Sequence, residues 1–120
     1  MAKFTPSNTV TPELEITDVE ADTITLASGA QTAGAVSQSS RKGVITLDLA
    51  TNSGIIANNA TYVVTLTNAA CDADSVVVVT TTATSAANVH TLSDSGCKFS
   101  LPNFTGGNFT SNVTINYVIL

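Results

Sequence analysis

From residue 23 to the C-terminus, short runs of β-branched and aromatic residues follow one another at intervals of about ten residues, each cut off by Gly, Asn, Asp or Ser. The runs are Thr23-Ile24-Thr25-Leu26, Val44-Ile45-Thr46-Leu47-Asp48-Leu49, Ile55-Ile56, Tyr62-Val63-Val64-Thr65-Leu66-Thr67, Ser75 to Thr82, Asn88-Val89-His90-Thr91-Leu92, Cys97-Lys98-Phe99-Ser100-Leu101 and Val113 to Leu120. No stretch holds apolar residues at the 3.6-residue spacing of a helix face. The pattern predicts an all-β domain, a sandwich or a barrel. A chain of 120 residues has room for one such core.

Two of these runs constrain more than the rest. Between Tyr62 and Thr67 the residues Tyr62, Val64 and Leu66 take one face and Val63, Thr65 and Thr67 the other, as in a sheet wet on one side. Val76 to Val79 is instead apolar on both faces, which predicts either a central strand covered on both sides or an outer face buried against another subunit. The last run, in which Ile115, Tyr117 and Ile119 alternate with Asn116, Val118 and Leu120, has the same property and is expected to be pinned at its end. Self-association is the expectation, with Val77, Val79, Tyr117, Ile119 and Leu120 as interface candidates.

Charge is scarce and uneven. There are 4 Lys and Arg against 9 Asp and Glu, a formal net charge of −5, and only 11% of residues are charged, where about 25% is usual. Thr, Ser and Asn fill the polar positions. Residues 1–22 hold Glu13, Glu15, Asp18, Glu20 and Asp22 against Lys3, a net of 5 − 1 = 4 negative; residues 23–120 hold Asp48, Asp72, Asp74 and Asp94 against Arg41, Lys42 and Lys98, a net of 4 − 3 = 1 negative. Pro6 and Pro12 disfavour helix, so 1–22 reads as an extended acidic arm and 23–120 as the β domain. Leu14, Ile16 and Val19, interleaved with the acids, hint at a short strand laid on a surface. With no basic field, nucleic-acid binding is not expected. A hydrophobic content of 43% is the opposite of a disordered composition. Met1 to Asn8 has no apolar stretch behind its one positive charge, so no secretory signal is expected, and the apolar runs are too short for a membrane span.

Few residues invite a chemical role. His90 is the single histidine and has no nucleophile motif beside it. Cys71 and Cys97 lack the spacing of a redox or zinc motif, and burial as small hydrophobes is their expected use, with a disulfide as the alternative. Asp18, Glu20 and Asp22, or Asp72 and Asp74, could offer oxygens to calcium but lack the glycine and distal glutamate of a calcium loop; Asp72-Ala73-Asp74 is expected to make an Asx turn. The Asn-x-Ser/Thr triplets at Asn59, Asn103, Asn108 and Asn112 are what an Asn- and Thr-rich chain produces by chance. No catalytic residue, metal site or cofactor is expected.

From Ala35 onward the order of motifs resembles a domain common in tailed-phage genomes and found in virion surface proteins. The pieces that carry the resemblance are Val36 to Ser40, Gly43 to Asp48, Tyr62 to Asn68, Asp74 to Val79, Gly96 to Gly107 and Val113 to Ile119. The resemblance implies a β-sandwich of jelly-roll type and a structural or adhesive role, and with the arm read above the expected fold is a jelly-roll-like antiparallel β-sandwich with an extended N-terminal arm. Since a tail fibre would need a shaft and no heptad or repeat is present, the short chain suits a capsid decoration, or cement, protein. In that role a homotrimer would sit on the outer capsid surface of the virion, made in the bacterial cytoplasm, with the major capsid protein as partner and neither nucleic acid nor membrane. The arm residues Glu13, Glu15, Ile16, Asp18 and Glu20 would be the capsid contacts. The alternative is a host-binding tail-fibre, knob or vertex-spike module that reads glycans with the loops Thr80 to Asn88 and Asn103 to Asn112.

Overall fold

The computed structural model describes residues 19–83 and 87–120. Ten strands run through them: β1 (Val19–Thr25), β2 (Gly29–Ala30), β3 (Ala33–Ser37), β4 (Lys42–Asp48), β5 (Gly54–Ile55), β6 (Ala60–Thr67), β7 (Val77–Thr81), β8 (Asn88–Ser93), β9 (Gly96–Asn103) and β10 (Val113–Ile119). One four-stranded sheet has the order β1-β4-β10-β7 and a second has the order β3-β6-β9-β8, while β2 and β5 form a small pair of their own. The protein is all-β in several sheets, as the spacing of the runs predicts.

Alternation along the central strands explains why the two large sheets close on one core. Ile45 and Leu47 of β4 and Ile115, Tyr117 and Ile119 of β10 are buried in one cluster with Tyr62, Val64 and Leu66 of β6 and Cys97, Phe99 and Leu101 of β9. The Phe99 and Tyr117 rings meet across the sheets, their centroids 5.7 Å apart and their planes tilted by 33°, a geometry that lets edge and face complement each other. Each fully buried aliphatic or aromatic side chain here contributes roughly 1.5–3 kcal/mol over its exposed state.

The strand directions depart from the expectation. β1 joins β4 in parallel, with Val19 opposite Lys42 and Thr25 opposite Asp48, and β3 joins β6 in parallel, with Ala33 opposite Val63. A wholly antiparallel sandwich therefore does not hold: one outer strand of each sheet, β1 and β3, is parallel to its neighbour. The cause lies in the connections: from β1 the chain crosses to the other sheet at β3 before returning as β4, and such a crossover brings a strand back in the same direction. The arm boundary also moves, because Val19 to Asp22 belong to β1 rather than to a separate extension.

β2 and β3 are absent from the sequence expectation. Their stretch, Gly29 to Ser37, has no β-branched residues but Thr32 and Val36, so local propensity is weak and the ladders with β5 and β6 impose the conformation. Gly34 shows what the small residues do there. A Cβ on it would collide with the hydroxyl of Tyr62 and lie 3.1 Å from the Ile24 side chain.

Opposite ends of the core treat their tyrosines differently. The Tyr117 hydroxyl donates to Gln38 Oε1 and accepts from Asn68 Nδ2 at 3.3 Å, while that amide also donates to the Ser40 carbonyl at 2.7 Å. Gln38 Nε2 in turn donates to Asp22 Oδ2 at 3.2 Å. Gly43 makes room for this network, since a Cβ there would run into both Gln38 and the Tyr117 ring. The Tyr62 hydroxyl, by contrast, is buried without a partner among the described residues. An unsatisfied buried hydroxyl costs about 1–3 kcal/mol, and removing a satisfied one strands its partners. Tyr117→Phe is therefore expected to lower stability by about 1–3 kcal/mol, whereas Tyr62→Phe leaves it unchanged or higher. Urea midpoints at constant m compare the two; equal losses would show that the Tyr62 hydroxyl is satisfied after all.

Candidate interaction surface

The ladders that align the core also set side chains in rows across the outward face of the first sheet. Val19, Lys42, Val118 and Val78 stand in one row, one residue from each strand. Beside it the Leu120 amide donates to the Val76 carbonyl at 2.8 Å, which extends the apolar set by two. Val19, Val76, Val78 and Leu120 are 50%, 60%, 51% and 67% exposed. The next row is Ala21, Val44, Asn116 and Thr80, and the one after it is threonine throughout: Thr23, Thr46 and Thr114 in register, with the Thr114 amide donating to Thr82 Oγ1 at 2.9 Å. The face thus passes from apolar to hydroxyl along the strands. Lys42 and Asp48 are its charged side chains, and the Asp48 carboxylate is occupied locally by the Thr51 amide at 3.1 Å and hydroxyl at 2.6 Å.

The second sheet shows water Val63, Thr65 and Thr67 from β6 and Lys98, Ser100 and Pro102 from β9. Edges differ more than faces. β1 carries Glu20 and Asp22, and β8 is broken by a bulge between Val89 and Thr91 next to exposed His90. β7 pairs with β10 on one side and with no described strand on the other. It is uncharged, unbulged and free of proline, the kind of edge that other chains pair with or cover.

These placements revise the sequence-predicted residues. Tyr117 and Ile119 are 1% and 0% exposed and belong to the core. Val77 and Val79 sit opposite Ile119 and Tyr117 and share their inward direction, packed against the core cluster. Of the five interface candidates, Leu120 alone is exposed. The physical reason is parity: a strand buried on one face spends its larger apolar set on the core, so the set left for a partner is the other one, Val76, Val78, Val118 and Leu120. Sequence parity groups Tyr117 and Ile119 with Ile115, and the pairing with β4 and β7 decides that this set is the inward one.

Among the expected arm contacts, Glu13, Glu15, Ile16 and Asp18 lie outside the described residues. Glu20 is committed within the chain. Its Oε1 accepts from the Ser39 amide at 2.7 Å and the Ser40 amide at 3.2 Å, so it caps the turn between β3 and β4 instead of reaching for a partner. Those two amides hold its carboxyl below the ordinary value of 4.5, and the Thr51 hydroxyl and amide hold Asp48 below 3.8 in the same way.

Asparagine and aspartate side chains tie the turns. Asp72 Oδ1 accepts from the Asp74 amide at 2.8 Å, the expected Asx turn. Asn103 is fully buried: its Nδ2 donates to the Ile56 and Gly107 carbonyls, both at 2.9 Å, and its Oδ1 accepts from the Thr105 hydroxyl at 2.7 Å. That leaves its amide closed to any modification. Asn112 Oδ1 accepts from the Leu49 and Ala50 amides, each at 3.0 Å. Among the described residues no three His, Cys, Asp or Glu side chains gather as a metal site would require.

The depressed carboxyls define a pH dependence. A carboxyl held below its ordinary value releases its proton more readily when folded, so its contribution is complete above the unfolded value and is lost as pH falls through the folded one. From about pH 5 to about pH 8 stability should be level, and below about pH 5 it should fall. Glu20→Gln should cost stability at neutral pH and show a shallower acid fall than the parent; parallel acid profiles from thermal melts would remove Glu20 as a contributor.

No family model, curated protein or solved structure matches this chain.

Proposed function

We propose that this chain is a structural protein of a tailed-phage virion, a decoration protein that binds the outer capsid surface as an oligomer and braces contacts between major capsid subunits. The observation that carries the reading is the apolar set Val118 and Val78, with Val76 and Leu120 beside them and Val19 across Lys42 in the same row, on a body faced mostly with Thr, Ser and Asn. A contiguous apolar set on a sparsely charged exterior suits a contact that excludes water without matching ions.

In this reading the body is a β-sandwich module of jelly-roll kind, and three copies meet through the apolar row. The acidic residues Glu13, Glu15 and Asp18 ahead of β1 complement basic patches on the shell. The work is mechanical. A shell under internal pressure fails when subunits separate, and a trimer that holds several subunits at once keeps a parted contact at high effective concentration, so no reactive group is needed.

Two measurements separate the parts of the proposal. Val78→Lys with Leu120→Lys should yield a folded monomer by sedimentation, because exposed substitutions change stability by about 0.5 kcal/mol or less; a variant that still associates places the interface elsewhere. Deleting residues 1–18, which spares β1, should leave a folded oligomer that no longer occupies capsids, and undiminished occupancy would sink the arm contact. Copy number on intact particles decides between sites: copies comparable to the major capsid subunits fit decoration, and a few per particle fit a host-binding tail or vertex module.

A further inference from the structure

Cys71 and Cys97 are the two thiols of the chain, and the fold brings them side by side from separate segments. The ladder of β6 and β9 sets Leu66 opposite Cys97 and continues beyond the strand ends, where the Asn68 amide donates to the Ser95 carbonyl at 2.8 Å and the Ser95 amide donates to the Cys71 carbonyl at 2.8 Å. The Cys71 amide donates to the Asn68 carbonyl at 3.0 Å, closing a turn that folds Cys71 back over the end of the ladder. Both residues are buried in the same cluster, 2% and 3% exposed. The Cys71 sulfur lies close enough to act on the Cys97 thiol, and the Cys71 thiol itself donates to the Asp72 carbonyl at 3.8 Å. Burial first and the neighbouring sulfur second push the Cys97 thiol up to about 12, so Cys97 is kept as an unreactive thiol while the turn is closed.

We propose that Cys71 and Cys97 are a latent intramolecular cross-link, closed by a small disulfide such as glutathione disulfide when the chain enters an oxidising medium. Cys71 leads because it sits on the turn whose next residues, Asp72 to Asp74, are exposed. As the turn lifts, the Cys71 thiolate attacks one sulfur of glutathione disulfide and expels a glutathione thiolate. Cys97 then attacks the Cys71 sulfur of that mixed disulfide and expels the second. One sulfur–sulfur bond forms as one breaks, and the two protons and two electrons lost by the protein thiols appear as two molecules of reduced glutathione. The bond would fasten the segment that leads into Val76 and β7 onto β9 of the other sheet. This inference is independent of what the outward valines contact.

The test holds the full chain in a buffer of oxidised and reduced glutathione near pH 8, traps thiols with an alkylating agent, and reads intact mass, linked peptides and melting temperature. The expected product is a monomeric chain lighter by two hydrogens, with residues 71 and 97 linked and a melting temperature raised by several degrees, because a closed loop restricts the unfolded chain. Dithiothreitol should reverse it, and urea below the unfolding midpoint should speed it by freeing the turn. Cys71→Ala and Cys97→Ala should each abolish both the mass change and the rise. Two thiols persisting even after refolding from urea in the same buffer would overturn the proposal, as would a stable glutathione adduct, covalent dimers, or a melting temperature that fails to rise.

Discussion

Tyr117 is the residue on which the two sheets depend. Its ring packs against Phe99 across the core, and its hydroxyl links Gln38, and through it Asp22 of β1, to Asn68 at the end of β6. One side chain thus answers for burial and for polar satisfaction at the same end of the molecule. A buried network of this kind is stabilising only when every member has a partner, which explains the company it keeps. Gly43 leaves the space, Asn68 anchors the Ser40 carbonyl, and Glu20 gathers the amides of Ser39 and Ser40. The parallel strand β1 is fixed by this polar end as well as by its ladder with β4.

The exterior follows from what the interior consumes. β4, β6, β9 and β10 turn their large apolar residues inward, and threonine, serine and small residues are left for water, so the surface is neutral without being greasy. Among the described residues, an apolar set faces outward where β7 begins and β10 ends. The scarcity of charge is therefore uneven in consequence: over most of the surface hydroxyls keep the protein wet, and at one end of one sheet nothing does. A partner surface that covers Val78, Val118 and Leu120 would meet two cations: Lys42, whose aliphatic stem can lie along the row while its amine stays in water, and Arg41, whose guanidinium donates to the Ile119 carbonyl at 3.4 Å.

How legible all this was depends on whether the signal is local. The strands from β4 to β10, β5 among them, were visible as runs because β-branched residues and turn residues punctuate them, and the Asx turn at Asp72 was visible because its geometry is made within three residues. The turn that Glu20 caps was hidden, since nothing local says that a carboxylate will meet the amides of residues 39 and 40. Tyr117 and Ile119 were misread as interface for a related reason: apolar residues at a chain end look unclaimed until the register with β4 and β7 assigns them.

Alternation of apolar and polar residues with period 2 is a property of the chain, and by itself it determined an all-β protein, the inward face of β6, and an exterior poor in charge. Strand direction, the Gly- and Ala-rich strands β2 and β3, the adjacency of Cys71 and Cys97, and the outward apolar row were decided only in the tertiary structure. Each of these rests on pairing between segments far apart in sequence, and a hydrogen-bonded register between two strands is written in neither strand alone.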